Sequence, residues 1–295
     1  MKQLFKNLIS YKISQKIDLN TLEEKLKAQE FHPCLSQELN TIGWSHFLNK
    51  EPYVLVNNHL FINVRSQKKL LPSSVVNEYL KIKADAIAEE QGFKVGRKQL
   101  KEIKEDLIIE LLPKAFTVTK DDIVWFDFNN NRFHVNSTSV SKVDEIIGLI
   151  AKTFEEFPLT PIHTNKSPSA AMTNWLINED ADLPSPLNTE EGCEVKGVGE
   201  NVPVIKYKSY DVFSEDIKEH IKEGKVCTQL NLSWEDKVSF VLNEDLHLKQ
   251  IKYLEKVEVE NEEDLSASLL IEADSLSEIL NVLIEQGLGG YKSND

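Results

Sequence analysis

Apolar and polar residues alternate with a period of two in three segments of the first half of the chain, which are residues 4–14, 53–65 and 123–135. This alternation is typical of half-buried strands, and the asparagines at 57–58 and 129–131 predict turns that make hairpins of the second and third segments. A period near 3.6 predicts helices at 21–30, after an Asn20 cap, and at 142–156. Strands and helices mix without regular βαβ order, which favours an α+β fold.

Two consecutive helices are predicted between these hairpins, over about 75–90 and 97–112. Gly92 and Gly96 bracket the short turn that joins them, and Pro113 stops the second helix. Helices joined by so short a connection pack antiparallel. The segment therefore predicts a helical hairpin that is inserted into the first domain.

A domain boundary is predicted at 158–203, which holds six of the ten prolines, with a short helix at MTNWLI as an alternative to a continuous loop. Beyond it we predict a second α+β domain, whose elements are strands at 203–208, 226–233, 237–243 and 247–253 and helices at 214–223 and 275–286. The acidic stretch 255–264 predicts a solvated loop or sheet edge.

The charge of the chain is unevenly distributed. Residues 1–120 carry 19 Lys and Arg against 14 Asp and Glu, whereas residues 121–295 carry 15 against 34, and the whole chain has a net charge of −14. Such asymmetry is typical of a protein whose basic part faces an anionic partner. A Debye length of about 8 Å at physiological salt lets the basic part act despite distant acidic residues. The alternative is an ordinary solvated helix face.

The most basic stretch is KVGRKQLKEIK, around the start of the second predicted helix. Its five cations are Lys94, Arg97, Lys98, Lys101 and Lys104. At about 100° per residue, three of them (Arg97, Lys101 and Lys104) fall within about 60° of one another, beside an apolar face. Cations spaced one helical turn apart can neutralise several phosphates of a duplex, which carries a charge about every 1.7 Å. The alternative is that acidic residues of the same helix pair with these lysines.

Sequence motifs of enzymes are absent from the chain. It contains no GxxxxGK[ST], GxSxG or HExxH, and its seven histidines show no metal-ligand spacing. We therefore predict no catalytic, metal or cofactor site. Zinc-finger, basic-zipper and RNP motifs are absent as well, so nucleic-acid contacts are expected to go to phosphates, which carry no sequence information.

Two features of the sequence predict the cellular compartment of the protein. No apolar run approaches the roughly 18–20 residues of a membrane span, and the N-terminus shows no signal-peptide pattern. Cys34, Cys193 and Cys227 are far apart, odd in number and in no CxxC pair. These features predict a cytoplasmic protein that has no membrane partner.

Seven segments, taken in order, resemble the RdgC proteins. They are FKNLISYKIS, FHPCLSQELNTIGW, the stretch 68–116 from KKLLPSSVV to ELLPKAF, VWFDFNNNRFHV, PLTPI, HIKEGKVCTQLNLSWEDKVSFVL and LIEQGLGG. None of them is a catalytic signature. Their order and spacing along the 295 residues make the resemblance specific.

This resemblance implies a homodimer that closes a ring. RdgC proteins have a horseshoe-shaped subunit with a central body, a helical tip and a base, and two subunits meet at tip and base. The hole is lined with basic residues and suits double-stranded DNA, held with little sequence preference. The family is associated with recombination and replication, is thought to restrain RecA by occupying DNA, and is not known as an enzyme family. The resemblance thus implies a cytoplasmic, nucleoid-associated DNA-binding protein.

The resemblance also assigns roles to residues of the tip. The family's basic tip helix corresponds to the five cations of KVGRKQLKEIK, and the lysine before LLPS is Lys69. In LLPKAF, Lys114 replaces the family's arginine, which keeps the charge but loses the bidentate fork. The residues alone leave Phe116 as either core or subunit contact, and the resemblance places it at the dimer interface.

In the base, the resemblance assigns a pair of cations to DNA binding. Lys206 and Lys208 match a basic pair that precedes the helix near residue 214. Ser209 stands where a third lysine is often found, which weakens the expected contact of the base with DNA.

Combining pattern and resemblance, we predict three parts of the chain. They are a central α+β domain over 1–72 and 113–165, a helical tip hairpin over 73–112, and an α+β base over 166–295.

Two other functions stay open at the level of sequence. The first is a protein-interaction module whose acidic C-terminal domain binds a basic partner. The second is an enzyme that acts at a carboxylate run, at Asp121-Asp122 or at 262–264, although no motif supports it.

Overall fold

The computed structural model describes residues 3–47, 51–179, 182–200, 202–254 and 262–292, apart from the side chains of 262–265. Within these ranges the strands are β1 (Ile9–Ile13), β2 (Asn40–Ser45), β3 (Tyr53–Val56), β4 (His59–Lys69), β5 (Thr117–Asp127), β6 (Arg132–Val135), β7 (Leu159–Pro161), β8 (Leu187–Lys196), β9 (Val204–Tyr207), β10 (Val226–Trp234), β11 (Val238–Asn243) and β12 (Leu248–Tyr253). The α-helices there are α1 (Leu22–Ala28), α2 (Ser73–Gln91), α3 (Arg97–Leu111), α4 (Val140–Thr153), α5 (Pro168–Ile177), α6 (Glu215–Lys222) and α7 (Glu262–Asn281). A 3-10 turn, Leu112–Lys114, continues α3, and a π-helical stretch, Val282–Gly287, continues α7. The predicted α+β class is confirmed.

The first seven strands form one antiparallel sheet in the order β2-β4-β5-β6-β1-β7, and β3 pairs with the same edge of β4 that β2 extends. The predicted turn at 57–58 joins β3 to β4. Asn57 and Asn58 have φ of 47° and 61°, the left-handed conformations that a two-residue hairpin turn requires and that asparagine tolerates. Both predicted hairpins of this half are confirmed, and β5 extends further than predicted.

One face of this sheet packs against α1 and α4. Leu60, Ile62 and Val64 of β4 point to this side and are buried with apolar residues of the two helices. The alternate residues of β4 and β5, among them Phe61 and Trp125, have side chains on the opposite face, where they join a second core. Because successive side chains of a strand point to opposite faces, the central strands are buried on both faces of the sheet.

The remaining strands form a second antiparallel sheet in the order β12-β11-β10-β8-β9, covered by α5, α6 and α7. The N-terminal segment links the two sheets, because the backbone of Leu8 pairs with Leu248, the first residue of β12, before the chain enters the first sheet as β1. The core of the second sheet also includes Phe5, Phe61 and Trp125. The two sheets thus share one continuous apolar core.

Two predictions about the second half are corrected, the first at residues 187–196 and the second at the last helix. Residues 187–196 form a strand inside the second sheet, although the prediction placed them in a loop-rich boundary. The pairing of β8 with β10 shifts register around Gly192, whose φ is 103°. This bulge breaks the period-two alternation that would have revealed the strand.

The last helix is longer than predicted. It begins at Glu262 instead of near 275, and buried Glu272 stands among the apolar residues of its inner face, so the apolar pattern is interrupted. Residues 255–261 of the predicted acidic loop lie outside the described residues. Asn20 does not cap α1, because Thr21 occupies that position.

Candidate nucleic-acid interface

The helical hairpin leaves the first sheet from the adjacent ends of β4 and β5. Its connection contains Gly92, which ends α2 in a left-handed conformation with φ of 77°. Few side chains are buried between the helices, chiefly Val76, Leu107 and Leu112. Lys83 of α2 donates to Glu110 of α3 at 2.7 Å, and this hydrogen bond lowers the pKa of Glu110. The hairpin is therefore a thin element with most of its surface open.

The predicted cations lie at the end of the hairpin that is remote from the sheet. Lys94 is in the turn, and Arg97 and Lys98 are in the first turn of α3; all three are exposed. Lys101 is exposed one turn further along, and Lys104 is half-buried. We call this set the basic end of the hairpin.

The acidic residues of α3 leave most of these cations unpaired. In the described part of the chain only Lys101 of the basic end has a carboxylate within 4.0 Å, that of Glu105 at 3.8 Å. Lys114, at the other end of α3, lies 4.0 Å from Glu110. Exposed contacts of this length stabilise little. The ammonium and guanidinium groups of the basic end are therefore available to an external anion.

Lys69 differs from the prediction. Its side chain is buried, with 5% of its surface exposed, and its Nζ donates to the carbonyl oxygens of Leu35 and Ser36 at 2.7 and 2.6 Å. These bonds tie the end of β4 to the loop before β2. The ammonium group is already satisfied and is not exposed to DNA, contrary to the expectation from the resemblance.

The two cations of the second sheet lie on or just after its edge strand β9. Lys206 forms an ion pair with Glu194 of β8 at 2.8 Å. Burial alone would raise the pKa of Glu194, but the hydrogen bond from Lys206 and others keep it below the usual value. Lys208 is exposed, and Ser209 beside it has a left-handed φ of 47°. Of the predicted pair, Lys208 is therefore the more available cation.

Exposed apolar side chains on the hairpin form a second surface. Phe116, at the foot of the hairpin, exposes 84% of its surface. On α2, Val75, Tyr79 and Ile82 are exposed at spacings of four and three residues, and so share one helix face. We call these three residues the α2 stripe. This stripe was not predicted from the sequence, although the spacing is visible there, because an apolar face was considered only for the second helix of the hairpin.

Within the described ranges, no three His, Cys, Asp or Glu side chains are grouped so that they could hold a metal ion. None of the helices described is both long and apolar enough to cross a membrane.

Comparison with known proteins gives matches over almost the whole chain. The sequence profile of a family described as "Putative exonuclease, RdgC" matches residues 3–290. A "Recombination-associated protein RdgC" of Herminiimonas arsenicoxydans is 37% identical over 299 residues, covering 98% of this chain and 99% of the relative. Proteins with the same description from Bordetella parapertussis, with the same coverage, and from Janthinobacterium sp., covering 97% of this chain and 98% of the relative, are each 36% identical.

Proposed function

The chain belongs to the RdgC family of recombination-associated proteins, and from that membership we propose that it binds double-stranded DNA without reading its sequence, as a homodimer that closes around the duplex. By occupying duplex DNA in the nucleoid it restrains RecA-dependent recombination and modulates replication. The bound DNA is held and not cut.

The basic end of the hairpin is the observation that carries this proposal. It gathers five cations at one end of a thin element, in a chain whose net charge is −14. Four of them (Lys94, Arg97, Lys98 and Lys104) have no carboxylate within 4.0 Å in the described part of the chain. Such a surface attracts a polyanion, and it releases the condensed counterions of a duplex when it binds.

Binding without sequence preference follows from the kind of side chain that is exposed. Lysine ammonium groups and one guanidinium group contact phosphate oxygens, which are identical at every base pair. The cations of α3 share the helix with Glu102, Glu105 and Asp106, which repel phosphates. This limits the contact to the start of the helix and favours backbone contact over insertion of the whole helix into a groove.

The homodimer is proposed from the α2 stripe and Phe116. Exposed aromatic and branched side chains that follow one helix face are typical of helix-to-helix contacts. A second copy of the chain supplies an identical face, and a two-fold axis brings the stripes together. The same axis brings two basic ends to one opening, which doubles the number of cations facing a duplex.

The DNA-binding part is tested by charge reversal. We expect the triple variant Arg97→Glu, Lys98→Glu, Lys101→Glu to lose about 100-fold or more in affinity for random-sequence duplexes, equally for all sequences, because phosphate contacts are replaced by repulsion. Fluorescence anisotropy over a salt series measures the loss. The matched control is Lys16→Glu, Lys152→Glu, Lys222→Glu, which makes the same charge change at exposed lysines elsewhere.

Three outcomes contradict the proposal. Equal affinity of the triple variant and the wild type removes the hairpin from DNA binding. Failure of the wild type to retain DNA at low salt favours the protein-interaction function, in which the acidic second half binds a basic partner. Shortening of end-labelled duplex in the presence of Mg²⁺ assigns an exonuclease activity instead of simple binding.

The homodimer is tested by the mass in solution. We expect the wild type to have about twice the 33.7 kDa of one chain, and the double variant Tyr79→Glu, Phe116→Ser to be monomeric, because a buried carboxylate at an apolar contact is costly. Val198→Glu, which changes an exposed valine of the second half, is the control. A variant that stays dimeric places the subunit contact elsewhere.

A further inference from the structure

Beyond the apolar core, the paired strands β4 and β5 carry different chemistry on their two faces. On the face turned towards the second sheet, Arg65 is directly opposite Asp121 and donates to it at 2.6 and 2.9 Å. Gln67 is opposite Thr119 and donates to it at 3.0 Å. In both pairs the polar side chains are satisfied by their cross-strand neighbours.

The other face of the same strand ends carries unpaired cations. Ser66 is opposite Lys120 and Lys68 is opposite Val118, so the two lysines are diagonal neighbours, roughly 7–8 Å apart at their Cα atoms. Both side chains are exposed, and within the described part of the chain neither Nζ has a carboxylate oxygen within 4.0 Å. Two neighbouring ammonium groups repel each other unless an anion lies between them.

These lysines line a groove of about 620 Å³ between the strand face and the first turn of α4. The polar residues of its lining that the proposal uses are Ser66, Lys68, Lys120, Ser139, Ser141 and Lys142. Lys142 is a third cation of the groove and pairs with Asp122. Glu145 is the one carboxylate among the lining residues. With Asp122 counted as the partner of Lys142, the three lysines exceed the two carboxylates by one positive charge.

The groove offers the donors that phosphate oxygens accept. Three hydroxyl groups, those of Ser66, Ser139 and Ser141, lie among the three lysines. The groove also includes the N-terminal turn of α4, whose dipole favours negative charge. No aromatic ring is present in the lining on which a nucleobase could stack. The chemistry therefore suits a phosphate backbone and not a nucleoside.

We propose that this groove, which we call the α4 groove, binds the phosphodiester backbone of a second segment of nucleic acid. This proposal rests on the proposed function, because it takes DNA as the ligand, but it assigns binding to a different surface of the protein. The α4 groove lies at the foot of the hairpin, whereas Arg97 starts α3 at the other end, about 21 Å away along the helix axis. An open groove without an enclosing wall accommodates a polymer more readily than a small phosphorylated molecule.

With two separate phosphate-binding surfaces, one protein can bridge two DNA segments. While the basic end of the hairpin holds one duplex, the α4 groove can hold another strand or duplex on the face of the first sheet that is turned away from the second sheet. The protein then brings two DNA segments together, which simple encirclement of one duplex does not do.

The first experiment maps lysine acetylation by mass spectrometry, with the protein alone, with a 30-base-pair random duplex, and with inorganic phosphate at the same total phosphate concentration. We expect the duplex to protect Lys68 and Lys120 at least threefold and inorganic phosphate to leave them reactive, with Lys222 as an unprotected reference. Equal protection by inorganic phosphate overturns the assignment to a polymer and indicates a small-anion site.

The second experiment separates the α4 groove from the hairpin. In the variant Arg97→Glu, Lys98→Glu, Lys101→Glu, protection of Lys68 and Lys120 by duplex at low salt should persist if the α4 groove binds independently. Loss of their protection in that variant shows that the two lysines contact only DNA held by the hairpin, and overturns the proposal.

The third experiment measures bridging directly. A duplex on beads and a free fluorescent duplex are mixed with the protein, and the free duplex recovered on the beads is counted. We expect Lys68→Glu, Lys120→Glu to lower recovery at least fivefold while its affinity for a single duplex stays within threefold of wild type, and the control Lys16→Glu, Lys222→Glu to recover wild-type amounts. Undiminished recovery contradicts the proposal, whereas a wild type that binds no duplex at all contradicts the proposed function instead.

Discussion

At the junction of the two sheets, polar side chains form buried hydrogen bonds that take no part in the proposed contact with DNA. Asp127, at the end of β5, accepts from Ser277 of α7 at 2.7 Å. Trp125 donates its indole N–H to Nδ1 of His59 at 3.0 Å, which places the histidine proton on Nε2, 3.2 Å from Asp274 of α7. Paired in this way, buried polar groups fix one orientation of α7 against the first sheet.

Glu272 gives a prediction at the same scale. Its buried carboxylate accepts from the backbone N–H groups of Leu4 and Phe5 at 3.0 and 2.9 Å. Burial raises the pKa of Glu272 to about 7, despite these hydrogen bonds. The folded chain therefore keeps this proton at pH values where the unfolded chain has lost it. The resulting stability is fully present below the unfolded pKa of about 4.5 and is lost as pH rises towards 7.

We expect Glu272→Gln to remove this dependence. The free energy of unfolding of the wild type minus that of the variant should fall as pH rises from 5 to 7. The slope is at most about 1.4 kcal/mol per pH unit. Urea denaturation of both proteins over that range measures it. Taking the difference cancels the contribution of other groups, such as His134, whose pKa is lowered to about 3 by burial. A pH-independent difference means that Glu272 is ionised throughout.

At the scale of elements, the hairpin is held differently from the sheets. Each sheet buries at least one full apolar face of its strands, whereas α2 and α3 bury little more than Val76 and Leu107 against each other. The hairpin is therefore the element whose local stability depends on the fewest contacts. Its two exposed surfaces, the basic end and the α2 stripe, are available because few other described residues contact the hairpin. One of these is Gln37, which donates to the carbonyl oxygen of Ile109 at 3.4 Å.

We expect Leu107→Ala to destabilise the hairpin selectively. Removing a buried leucine costs about 2 kcal/mol or more, and few other contacts hold the two helices together. In hydrogen exchange, amides of residues 73–111 should exchange faster, while those of β5 and β10 keep their protection. The exposed Ile109 of the same helix supplies the control, Ile109→Ala. Uniformly faster exchange would show that hairpin and sheets unfold together.

At the scale of the whole molecule, the arrangement of charge decides which surface meets DNA. The chain is acidic overall, and the excess of carboxylates lies in residues 121–295. Nine of the 19 basic residues of the first half lie at the end of the hairpin or at its foot. Because screening confines each charge to about 8 Å at physiological salt, these surfaces act locally while the acidic half keeps other surfaces from binding DNA.

This arrangement predicts a steep dependence of duplex binding on salt. If the dimer neutralises about six phosphates, the slope of log affinity against log salt is about −5, and affinity falls about 10³-fold between 50 and 200 mM salt. Anisotropy titrations at four salt concentrations measure the slope. The variant Arg97→Glu, Lys98→Glu, Lys101→Glu should flatten it, whereas a wild-type slope near zero would exclude phosphate contacts as the source of affinity.

The sequence by itself determined the features that depend on local backbone geometry. Period-two alternation and the Asn57-Asn58 pair identified the β3–β4 hairpin, and glycine and proline marked the ends of α2 and α3. The cations of α3 could be placed on one face of the helix, because residues three and four apart share a face. The order of short segments along the chain identified the family.

Only the tertiary structure decided which charges are free. Lys69 and Lys98 look alike in the sequence, yet Lys69 is buried against two carbonyl oxygens of a distant loop and Lys98 is exposed. Lys206 is paired because strand register places Glu194 opposite it, and the α4 groove exists because β4, β5 and α4 meet in space. Partners that come from distant parts of the chain leave no trace in local spacing, so the availability of a charge is decided by packing.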